Sequence, residues 1–87
     1  MSFIQDLADK LAKDVIDAQG ELQNDRFYEQ VGRVLMEASP TLNEAFMTSI
    51  RIRLAELRGR QFFERALKAK RQGEAAPEAP KDLSLGH

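Results

Sequence analysis

Side chains able to do covalent or acid–base chemistry are scarce in this chain. It contains no cysteine, one tyrosine (Tyr28) and one histidine, the terminal His87. The thiolate nucleophile, the disulfide framework and the thiolate metal site are therefore all absent, and acid–base work would fall to carboxylates. Asp6, Asp9, Asp14 and Asp17 occur as pairs three residues apart. Lysines flank them and nothing nearby in the sequence would desolvate them, so they read as the solvated face of a helix. Asp6/Lys10 and Asp9/Lys13 stand four apart in the favourable order, each pair contributing about 0.2–0.5 kcal/mol. No glycine-rich phosphate loop, Gly-x-Ser-x-Gly turn or His-Glu-x-x-His helix occurs, and a lone histidine cannot complete a Glu-x-x-His di-metal set. The expectation is a protein that is not an enzyme and uses neither metal nor cofactor.

The other residues with chemical reach are arginines. Arg51, Arg53, Arg58, Arg60 and Arg65 precede any lysine in their segment, and the planar guanidinium suits forked contacts with carboxylate or phosphate. The net charge of −1 conceals an asymmetry around them. Residues 1–44 carry 4 Lys/Arg against 9 Asp/Glu, residues 45–72 carry 8 against 2, and residues 73–87 carry 1 against 3. Arg51, Arg58 and Arg65 recur at seven-residue spacing and form one helical stripe, while Arg53 and Arg60 form a second. Such arginines can pair with the acidic first helix and with Glu56 and Glu64, bind an acidic partner protein, or bind nucleic acid.

The elements carrying these residues are all helical. Ser2 can cap a first helix, along which Ile4, Leu7, Leu11, Val15, Ala18 and Leu22 follow at steps of three or four. The phase then breaks. Gly20 and Asn24-Asp25 supply a stop and a cap, and Phe27, Val31, Val34, Leu35 and Ala38 predict a second helix from about residue 25 to 38. Ser39-Pro40 ends it, and Thr41 with Glu44 has the form of a capping box for the third. Leu42, Phe46, Ile50, Leu54 and Leu57 make a core-facing stripe. Beyond Gly59 the apolar side changes to Phe62, Phe63 and Ala66, joined by Ile52 and Ala55. Either the helix bends at Gly59 and folds Phe62, Phe63 and Leu67 into the same core, or it runs straight and offers a second face to another chain. No stretch has strand periodicity with hairpin turns.

The fold class is thus all-α: one helical domain over residues 1–72 with a long basic third helix, then a disordered acidic, proline-containing tail over 73–87. Lys81-Asp82-Leu83-Ser84-Leu85 could serve as a short docking segment within that tail. The stretch Arg53-Leu54-Ala55-Glu56-Leu57, preceded by Phe46, resembles the last helix of the Hha-type nucleoid modulators, small helical proteins that act by binding a larger DNA-binding protein. No secretory signal and no run approaching the roughly 20 apolar residues of a membrane span is present, so a cytoplasmic location without membrane contact is expected.

A helix-turn-helix reading is poor, because its recognition helix would begin with Thr41, Asn43, Glu44 and Met47 and reach its arginines only two turns later. The function expected from these features is non-enzymatic binding by a small adaptor, regulator or accessory subunit. Its contact surface would be the outer face of the third helix, with Ile52, Phe62, Phe63 and Ala66 as apolar anchors and Arg51, Arg58 and Arg65 as a charged rim. The partner would be a protein with an acidic and apolar surface, a second copy of the chain being one version. Nucleic acid bound through the arginine-rich helix is the alternative.

Overall fold

Ser2 begins the first helix as its side chain suggests: its Oγ accepts the Gln5 N–H at 3.0 Å. In this computed structural model, which describes residues 2–80, α1 covers Phe3–Leu22, α2 Phe27–Ala38 and α3 Pro40–Gln72. The protein is all-α, with no strand among the described residues. Residues 74–80 form no regular element. The rest of the expected tail, including the Lys81–Leu85 segment, lies outside the described residues.

The turns depart from the sequence expectation in an instructive way. α1 does not stop at Gly20 but continues to Leu22, and the residue that turns left-handed is Gln23, at φ 53°. Its N–H bonds to the Gly20 carbonyl at 3.1 Å and the Asn24 N–H to the Gln19 carbonyl at 3.1 Å. This pair of bonds closes the helix end in a Schellman motif. Asn24 Oδ1 then accepts the Arg26 N–H at 3.0 Å, and the turn delivers the chain into α2 at Phe27. Between α2 and α3 only Ser39 is non-helical. Its N–H closes α2 on the Leu35 carbonyl, and its Oγ caps α3 by accepting the Leu42 N–H at 3.1 Å. The cap is therefore Ser39 and not Thr41. Pro40 occupies the first helical position, where its missing N–H costs nothing.

The chain divides into two units, Met1–Ala55 and a second beginning at Glu56. The first unit holds the core: Ala8, Ala12 and Val15 of α1 against Phe46 and Ile50 of α3, with Leu11, Ile16, Phe27, Tyr28, Val31 and Leu35 packed around them. Full burial of the Phe46 ring contributes about 2–3 kcal/mol. The buried face of α1 centres on two alanines. Of the large residues that mark its apolar stripe, Ile4 is 41 %, Leu7 45 % and Leu22 46 % exposed. Small side chains at Ala8 and Ala12 let α1 lie close to Phe46 and Ile50, and the larger ones fall to the flank. α2 approaches α3 closely for the same reason. A Cβ on buried Gly32 would stand 3.1 Å from Asn43 Oδ1 and 3.3 Å from Met47 Sδ, while Val34, expected in the core, is largely exposed.

α3 is helical through Gly59. The helix does not break at that residue. The helix closes at Gly73, φ 71°, with a second Schellman pair: Gly73 N–H to Lys70 carbonyl at 3.3 Å and Glu74 N–H to Ala69 carbonyl at 2.8 Å.

Candidate functional site

The residues expected to bind a partner are distributed over both units. Arg51 and Ile52 belong to the first, and both are exposed. Ile52 lines a groove of about 590 Å³ with Ile4, Asp9 and Ser49. Beside it Arg53 is occupied structurally. Its Nε donates to Ser49 Oγ at 3.2 Å and its NH2 group to the Asp9 carbonyl at 3.1 Å, so the buried Ser49 hydroxyl is satisfied. The acids of α1 stay on the solvent side, where Lys10 pairs with Asp14 and Lys13 with Asp17. These are the next partners along the helix, not the Asp6/Lys10 and Asp9/Lys13 pairs expected. The Asp17 hydrogen bond, reinforced by its charge, raises the Lys13 ammonium above its ordinary value.

In the second unit the adjacent phenylalanines have different surroundings. Phe63 is 58 % exposed, whereas Phe62 and Ala66 are half-buried and Ala69 is buried. Helical geometry accounts for the separation. At about 100° per residue, Leu67 and Arg71 lie within about 80° of Phe63 on one side, while Arg58 and Arg65 fall about 140–160° away on the other. Phe62 and Ala66 stand between. Of the cations, Arg71 is therefore nearer Phe63 than Arg58 or Arg65 is, and Lys68 lies about 140° round the helix. Phe63, Glu64, Leu67, Lys68, Arg71 and Gln72 line a groove of about 410 Å³. Leu67 at i+4 gives the Phe63 ring an apolar neighbour, and Lys68 and Arg71 supply positive charge.

Charge pairing leaves this groove available. Arg60 Nε bonds Glu56 at 3.0 Å, and that hydrogen bond and the Glu56 charge raise the guanidinium above its ordinary value. Among the described residues, Arg51, Arg58, Arg65, Lys68 and Arg71 form no ion pair. Lys68 and Arg71 are the charged members of the groove that the sequence pattern did not single out. Leu67 and Arg71, at i+4 and i+8 from Phe63, lie on its side of the helix, and that spacing was the signal.

Elsewhere, Glu29, Gly32, Arg33, Met36, Asn43 and Met47 line a groove of about 290 Å³, in whose wall Asn43 Oδ1 is buried with no hydrogen-bond partner. Among the described residues no cluster of His, Asp or Glu is placed to hold a metal ion, and no helix is long and apolar enough to cross a membrane. No protein-family model, no curated protein and no solved structure matches this chain. The local likeness to the Hha-type modulators accordingly carries no family assignment.

Proposed function

We propose that this protein is a non-enzymatic interaction module, a small adaptor, regulator or accessory subunit, that binds a protein partner through the part of α3 following Glu56. The observation supporting this reading is Phe63. A large aromatic ring more than half exposed on a well-formed helix beside Leu67, Lys68 and Arg71 has the composition of an interface centre, in which aromatic residues and arginine are enriched. The partner surface would combine an apolar side chain for the Phe63/Leu67 pair with carboxylates for the two cations.

A second reading rests on a separate observation. Arg58 and Arg65 are exposed and form no ion pair among the described residues, as a phosphate-binding stripe requires. Capture of partners by the tagged full-length protein from its native host's lysate, with and without nuclease, separates the two. A stoichiometric protein that survives nuclease and is lost with Phe63→Ser supports the proposal. Partners lost on nuclease treatment, with binding that falls steeply with salt, would assign the function to nucleic acid instead.

A further inference from the structure

We infer that the partner of the Phe63 groove is a second copy of this chain, and that the outer face of α1 is what enters it. This deepens the proposed function and rests on it.

The basic segment 45–72 has a net charge of +6 and the segment 1–44 a net charge of −5, so each chain carries both halves of a complementary pair. Among the described residues no ion pair joins the two segments: the carboxylates of Asp14 and Asp17 pair with lysines on their own helix, and Arg53 reaches α1 through a main-chain carbonyl.

Apolar exposure is matched as well. α1 leaves Phe3 75 % and Leu7 45 % exposed, and at about 100° per residue Phe3, Leu7, Lys10, Asp14 and Glu21 fall within about 40° of one line. This line lies on the side opposite Ala8 and Ala12. The second unit presents Phe63, Leu67 and Arg71 in the same order, an apolar pair followed by a charge. Register follows from the helical rise of 1.5 Å per residue: Leu7 to Asp14 spans about 10.5 Å and Phe63 to Arg71 about 12 Å. With α1 of one copy parallel to the basic segment of the other, placing Leu7 against Phe63 brings Asp14 opposite Arg71. The Lys10–Asp14 pair competes only weakly, because both side chains are solvent-exposed.

The test is sedimentation equilibrium of the full chain up to millimolar concentration, at about 0.1 M and about 1 M salt, over which the screening length falls from about 10 to about 3 Å. We expect a dimer that weakens with salt, and a Kd raised at least about tenfold by Phe63→Ser, by Arg71→Glu or by Asp14→Lys. Helicity by circular dichroism should be unchanged in each, since these are exposed positions. An equimolar mixture of the Arg71→Glu and Asp14→Lys chains should form a mixed dimer that neither forms alone.

A chain that is monomeric under all these conditions overturns the inference, as does a dimer insensitive to all three substitutions. Loss of the dimer with Arg71→Glu but not with Asp14→Lys, or failure of the mixture to pair, removes α1 as the occupant and points to another acidic segment of the chain. A monomer that still loses a lysate protein on Phe63→Ser would leave the interaction module standing and self-pairing overturned.

Discussion

Arg53 holds α1 to α3 through the main chain of Asp9 and not through its carboxylate: its NH2 group lies 3.1 Å from the Asp9 carbonyl oxygen. The acceptor is a peptide group already in place in the helix, so the contact does not depend on the acid at that position. Arg53→Ala should destabilise the protein by about 1.5–3 kcal/mol, the range for hydrogen bonds involving a charged group. Asp9→Asn should stay within about 0.5 kcal/mol of the parent. Urea unfolding of the two variants checks this, and equal losses would mean that the carboxylate is the partner.

The two helical glycines of α2 and α3 should respond oppositely. A Cβ at Gly59 meets nothing within 4 Å, and α3 is continuous there. Gly59→Ala should therefore raise stability by about 0.5–1 kcal/mol through helix propensity. At Gly32 the contacts with Asn43 and Met47 leave no room for a branched side chain, so Gly32→Val should cost about 1–3 kcal/mol. Thermal unfolding reads both signs. A destabilising Gly59→Ala would indicate a bend at that residue.

The turns offer a third set of measurements. Ser39→Ala removes the side-chain cap of α3 and should cost about 1 kcal/mol, with Thr41→Ala closer to neutral. Gln23→Gly relieves a left-handed residue that carries a Cβ and should stabilise by a few tenths to about 1 kcal/mol. Chemical denaturation of the three variants decides whether the caps are those described.

The three helices and the Phe46/Ile50 seam were legible because large apolar residues recur there with helical period and Ser2 and Pro40 punctuate them. The α1 face was legible only in part: Leu11 and Val15 of its stripe meet the core, but apolar spacing also weights Ile4, Leu7 and Leu22, whereas close approach of two helices favours small residues such as Ala8 and Ala12. Ser39 and Thr41 are both good caps, and the discriminating signal was Pro40, which prefers the first helical position. Gln23 carries no left-handed preference that a reader could use; two main-chain hydrogen bonds select it. Phe62, Phe63 and Ala66 read together as one apolar side, but the step of about 100° between the two rings gives them different surroundings, Phe62 half-buried and Phe63 exposed. The same geometry sets Arg71, about 80° from Phe63, nearer to that ring than Arg58 and Arg65, at about 140–160°.

The central claim is that Phe63 serves an interface and not the core, and the most direct measurement is thermal unfolding of Phe63→Ser alongside its capture of partner from lysate. The account predicts a Tm within a few degrees of the parent, matching a loss below about 1 kcal/mol, together with loss of the partner. A collapse in Tm comparable to that of a core truncation such as Phe46→Ala, about 3–5 kcal/mol, or undiminished partner capture by a folded variant, would contradict it.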